Sequence, residues 1–241
     1  MTRLVRAELL KLRTTRTFWW LGGSALGLVL LLVSLNLAID DSLGSRTDAE
    51  SLLSTAGIAG LLTLVLGVVV GAGEYRHGTI ASTLLVTPQR LRAVSGSVVA
   101  CFLGGLAIGL AAAGFTAIVA LPWLSAKDAV MPSTGMTLGI FLGGTAYAAL
   151  AAALGAALGA LLRNQVAAVV IVLLLIFVVD PAVAALFENV GQFTLTGLGV
   201  AMSGGDSDAD LLPRGVAAVV WALYTILLGA LAVLVTARRD V

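Results

Sequence analysis

The stretch MTLGIFLGGTAYAALAAALGAALGALL (Met136–Leu162) contains no Asp, Glu, Lys or Arg. At about 1.5 Å rise per residue, a helix of that length crosses a hydrocarbon core of about 30 Å. Working outward, similar runs lie at Phe18–Ile39, Leu52–Gly73, Ala93–Trp123, Gln165–Val179 and Gly215–Thr236. The runs at 93–123 and 136–162 exceed the minimum, and tilt accommodates the excess. The fifth is short before Asp180-Pro181, and its far end is left open. Composition agrees: 59% of residues are hydrophobic and 11% charged, with a mean hydropathy of +1.07. A soluble domain carries about 25% charged residues. The expected fold class is therefore an all-α membrane protein with six transmembrane helices.

Charge placement orients the bundle. Arg3, Arg6, Lys11, Arg13 and Arg16 precede the first run, and Arg76, Arg90 and Arg92 separate the second from the third. Arg163 follows the fourth, and Arg238 and Arg239 follow the sixth. Only Arg46, Lys127 and Arg214 of the 14 Lys and Arg lie on the other side. Basic residues near span ends stay in the cytoplasm, so both termini are expected inside. The acids Asp40, Asp41, Asp48, Glu50, Asp128, Glu188, Asp206, Asp208 and Asp210 fall outside. Trp19 and Trp20 suit the inner interface and Trp123 the outer one. Without a small-x-small cleavage site, the first run reads as an uncleaved span rather than a signal peptide. Five pairs have G-x-x-x-G spacing: Gly23/Gly27, Gly67/Gly71, Gly105/Gly109, Gly139/Gly143 and Gly155/Gly159. Small residues let backbones approach in lipid, and packing within the chain is the expected use.

Several chemistries are missing. Ion-coupled transport needs ionisable groups inside the bilayer; the span interiors lack them, and Asp180 is the one candidate. Its plainer role is to cap a new helix, Pro181–Glu188, with Pro181 at the first helical position. A P-loop requires G-x-x-x-x-G-K-[ST], and neither Lys11 nor Lys127 follows a glycine-rich loop. The stretch Met202-Ser203-Gly204-Gly205-Asp206 echoes an ATPase signature only superficially, in an outside loop. One cysteine (Cys101) and one histidine (His77) form neither a disulfide nor a metal cluster. Cys101 reads as a packing residue. No nucleophile–base set is visible, so no catalytic site, metal or cofactor is expected, and a net charge of +1 gives no pull toward nucleic acid.

Two inner segments look built for a partner. In the first (residues 1–17), Val5, Leu9 and Leu12 stand at i, i+4, i+7 and form an apolar stripe. Arg3, Arg6 and Arg13 occupy another face, Glu8 and Lys11 can pair at i, i+3, and Leu10 interrupts the pattern. Such a helix tends to lie in the headgroup plane. The second segment, residues 74–90, is far longer than a turn joining two helices requires. Its candidate docking residues are Glu74, Tyr75, Arg76, His77, Thr79, Ile80, Leu84 and Leu85. Glu74 could cap a docking helix, pair with Arg76, or meet a basic residue of the partner.

Ala7-Glu8-Leu9-Leu10-Lys11-Leu12-Arg13-Thr14-Thr15-Arg16, together with Gly73-Glu74-Tyr75-Arg76-His77-Gly78-Thr79-Ile80 and Thr87-Pro88-Gln89-Arg90, resembles the ABC-2 type membrane proteins, permease subunits of bacterial ABC transporters. The six-span layout extends the likeness over most of the chain. The resemblance implies an N-terminal connecting helix (1–17), a transmembrane domain (18–241), a coupling helix within 74–90 and short external helices within 180–214. It also implies two permease subunits, identical or paralogous, paired with two ABC ATP-binding subunits in a bacterial plasma membrane. The expected function is ATP-driven export energised by that separate subunit. Phe102, Phe115, Thr116 and Tyr147 favour a hydrophobic or amphipathic small molecule as cargo. The alternative is a non-transporting accessory or sensor subunit, whose second loop would engage no ATPase.

Overall fold

The computed structural model describes residues 2–39, 46–76, 90–127, 131–204 and 211–238, which are helical apart from short turns. The order is α1 (Thr2–Thr14), α2 (Arg16–Ile39), α3 (Arg46–Ser54), a 3-10 turn (Thr55–Ile58), α4 (Ala59–Arg76), α5 (Arg90–Ala126) and α6 (Thr134–Leu162). It continues with α7 (Gln165–Leu174), a π turn (Leu175–Val179), α8 (Asp180–Leu186), α9 (Glu188–Gly191), α10 (Leu195–Ser203) and α11 (Arg214–Arg238). Among the described residues, six helical segments are long and apolar enough to cross a membrane: Arg16–Ile39, Asp48–Arg76, Val94–Ala126, Thr134–Leu162, Gln165–Leu186 and Arg214–Val235. An even number of crossings returns the chain to the end from which it started. That end holds Arg13, Arg16, Arg76, Arg92 and Arg163, and is called the basic end below.

The fourth span is the centre of the bundle: 72% of its apolar stretch is buried, against 28, 22 and 17% for the first, fifth and sixth. Its sequence explains why. On α6, Gly155 and Gly159 face the Leu64 and Val68 carbonyls of α4. On α4, Gly67 and Gly71 face the Ala152 and Ala156 carbonyls of α6. Each pair makes room for the other helix's backbone, so the two axes approach as far as main chain allows. Thr63 strengthens the same contact by donating its hydroxyl to the Ala148 carbonyl at 2.9 Å. Gly105 and Gly109 of α5 dock on a neighbouring face of α6, against Ala148, Ala152 and Thr145. Gly143 faces the Met202 carbonyl of α10, and Gly139 the Arg214 side chain. Four of the five G-x-x-x-G pairs thus serve packing within the chain, while Gly23 and Gly27 meet no described atom.

The reversal at the basic end of α6 takes two residues. Arg163 adopts the left-handed conformation (φ 54°) and donates its N–H to the Gly159 carbonyl. Asn164 then caps α7, its side chain accepting from the Ala167 N–H at 3.1 Å. Glycine is usual at the first position, so this turn was not marked in the sequence.

The fifth span departs from expectation at Asp180. The helix does not restart there; it runs on through the π turn, with Asp180 at φ −56°, ψ −51° and its N–H bonded to the Leu175 carbonyl. Pro181 is the cause, because it cannot donate to Phe177 and its ring crowds that carbonyl. The wider π turn relieves the crowding and has a second effect. Ala168, Val172 and Ile176 form the buried stripe of the fifth span, and four-residue steps in an α-helix drift by about 40° each. The local unwinding cancels that drift and keeps Asp180 buried. Its carboxylate accepts from the Thr196 N–H (2.7 Å) and hydroxyl (2.9 Å). Thr194 accepts from the Gly197 N–H at 3.1 Å. Asp180 therefore caps α10, sixteen residues away, and not its own helix.

Candidate functional site

Three successive residues close α4, and side chains on a helix turn about 100° per residue. Glu74, Tyr75 and Arg76 consequently fan out to three different neighbours. Glu74 accepts from Lys11 Nζ of α1 at 2.6 Å. The Tyr75 ring lies under the Arg163 guanidinium, 5.3 Å from ring centre to its carbon. Arg76 donates to the Gln165 side-chain oxygen of α7 at 3.1 Å. The end of the second span is thereby tied to α1 on one side and to the start of the fifth span on the other.

Lys11 is shared, because its ammonium also donates to Glu8 at 2.7 Å, the pairing expected at i, i+3. The three groups differ in exposure: the side chains of Lys11, Glu74 and Glu8 are 48, 19 and 8% accessible. Glu8 is held against α5 at Gly96. Burial pushes its carboxyl above the ordinary value, and the Lys11 hydrogen bond opposes the rise. Burial would lower the Lys11 ammonium, but hydrogen bonds to Glu74 and Glu8 outweigh it and hold the group above the ordinary lysine value. One cation is shared by two carboxylates in a half-dry seat. The Glu74–Arg76 pairing is not present among the described residues, since Arg76 turns to Gln165, and a cap made by Glu74 on a docking helix falls outside the described residues.

Around this centre, α1 packs against α5. Leu4 and Glu8 lie at Gly96, and Leu12 and Phe18 at Gly104. Leu12 is buried, while Val5 and Leu9 are half-buried. The inward line runs Leu4–Glu8–Leu12, so a glutamate occupies the middle of the packed face. Periodicity of apolar residues could not have found it. His77, Thr79, Ile80, Leu84 and Leu85 lie outside the described residues. The cargo candidates do not converge: Tyr147 is buried edge-on to Trp221 (5.1 Å between ring centres), Thr116 is buried, Phe102 is half-buried and Phe115 is exposed. Compared with known protein families the chain matches none, and a search of curated proteins finds no significant match.

Proposed function

We propose that the chain is the permease subunit of a bacterial ABC exporter of the ABC-2 type, with both termini in the cytoplasm and a separate ATP-binding subunit supplying the energy. The observation that carries this reading is the Lys11 bridge. The two stretches on which the family resemblance rests, one around Glu8–Lys11 and one around Glu74–Arg76, are 63 residues apart and meet through a direct ion pair. A connecting helix and a coupling segment that work together need such a joint. Displacement of residues 77–89 by the ATPase would pull on Arg76 and Glu74, and through them on α7 and α1. A second permease subunit, identical or paralogous, completes the pathway, and a hydrophobic or amphipathic small molecule is the proposed cargo.

The test is co-expression with the ATP-binding subunit, followed by pull-down and ATPase assay in vesicles. Glu74→Ala should leave the bundle inserted yet lower turnover several-fold, and Ile80, Leu84 or Leu85 changed to Asp should weaken assembly. Unchanged assembly and turnover in all four variants would reduce residues 74–90 to a passive loop and remove the mechanism. ATP hydrolysis tracking this chain alone would contradict the proposal outright.

A further inference from the structure

We infer that the outward face of α1 is a seat for anionic phospholipid headgroups. The argument starts from depth. The contacts of α1 at Gly96 and Gly104 are eight residues apart on α5, about 12 Å. The helix therefore runs alongside α5 rather than across it. Gly105, next to Gly104, sits against Ala148, Ala149 and Ala152 of α6. Leu12 thus stands ten residues or more, about 15 Å, inside the basic end of α6 at Leu162. With 29 residues, α6 is about 44 Å long and overruns a hydrocarbon core of about 30 Å, and Phe18, at the start of the first span, meets the same Gly104 as Leu12. The end of α1 is consequently level with the point where the first span enters the bilayer, at headgroup depth.

At that depth the face opposite Glu8 and Leu12 carries Arg6, Leu10 and Arg13, at i, i+4, i+7, all exposed. Neither guanidinium pairs with a described residue. Trp19 and Trp20 are exposed just beyond, at 62 and 78%, as headgroup-level aromatics are. An unpaired arginine at headgroup depth needs an acceptor, and a phosphate diester takes it bidentately. The nearby acids give no relief, because Glu8 and Glu74 both turn to Lys11. A zwitterionic headgroup would bring a further cation to this stripe. An anionic one neutralises it. The inference rests on membrane insertion and stands apart from transport.

The experiment reconstitutes the full chain in phosphatidylcholine vesicles containing brominated-chain phosphatidylglycerol or, at equal mole fraction, brominated-chain phosphatidylcholine, and reads quenching of tryptophan fluorescence. Wild type should be quenched more by the anionic lipid. The double variant Arg6→Gln/Arg13→Gln should lose that preference by about fivefold per arginine, from about 1 kcal/mol for each basic side chain near an anionic surface. Arg6→Lys/Arg13→Lys should retain part of it, and Arg92→Gln, an exposed arginine off this face, should retain all. Circular dichroism checks that each variant is folded. Equal quenching by both lipids in wild type overturns the inference, as does a preference that survives the double Gln variant. Loss of ATP-binding-subunit capture with lipid preference intact would assign the face to a protein partner instead.

Discussion

Replacing Lys11 by Met keeps the length of the side chain and removes the cation shared by Glu8 and Glu74. The cost can be worked from the geometry. Lys11 and Glu74 are 2.6 Å apart but the lysine is 48% exposed, so this pair is screened and contributes about 0.5–1 kcal/mol. The Glu8 carboxylate is only 8% exposed, and leaving such a group without its donor costs about 1–3 kcal/mol. The expected loss is therefore about 1.5–4 kcal/mol, most of it through Glu8. The double variant Lys11→Met/Glu8→Gln should recover the greater part, because a neutral amide tolerates the dry seat. Lys11→Met/Glu74→Gln should recover little. Thermal unfolding in detergent, arranged as two double-mutant cycles, measures both couplings. The pH profile adds an independent sign. The folded ammonium titrates above 10.5, so its stabilisation is complete below that pH and is lost as pH rises through the higher folded value. Glu8 titrates above 4.5 when folded, so stability rises as pH falls through its folded value toward 4.5. Lys11→Met should abolish the alkaline loss. A Lys11–Glu74 coupling within about 0.3–0.5 kcal/mol of zero, the error of additivity for independent sites, would refute the claim that Lys11 joins α1 to the second span.

Gly155→Leu should prevent α4 from docking on α6 and cost more than the roughly 1–3 kcal/mol of ordinary overpacking, since it meets the Leu64 carbonyl. Gly23→Leu, with open space around it, should change the unfolding temperature little; size-exclusion and thermal melts in detergent compare the two. Asp180→Ala should remove two hydrogen bonds from Thr196 to a charged acceptor, at about 1.5–3 kcal/mol each, and limited proteolysis should then cut faster between residues 187 and 213. In a Cys101→Ala background, single cysteines at Ser45 and Ser207 should react with impermeant reagents outside intact cells, and those at Gln89 and Arg239 should not; labelling at Gln89 would reverse the orientation.

The spans were legible because crossing a bilayer demands about 20 apolar residues in a row, a demand written at every position. All six appear where hydropathy puts them, the fifth extended to Leu186. The partners of the glycine pairs were not legible. Spacing shows that a backbone can approach, but Gly67 and Gly155 carry the same mark as Gly23, and only the assembled bundle separates the packed pairs from the open one. Asp180 departs from its local signal for a related reason. Asp-Pro is a strong local start signal, yet span five is longer than the signal assumed, and the π turn absorbs the proline without ending the helix.

The Glu8–Lys11–Glu74 group shows where local reading stops. Glu8–Lys11 follows from i, i+3 spacing alone, while Glu74 by sequence could cap a helix, pair with Arg76 or meet a basic residue of a partner. What joins them is the order of packing at the basic end. The glycine-mediated approach of α4 to α6 sets the level at which the second span ends. Gly96 and Gly104 admit α1 to α5 at a matching height. Only when both contacts form does Lys11 reach Glu74. A displacement of α1 along α5 by one helical turn, about 5.4 Å, exceeds the slack in a 2.6 Å ion pair and would break it. The bond is thus a position gauge between two elements that the small-residue contacts place independently.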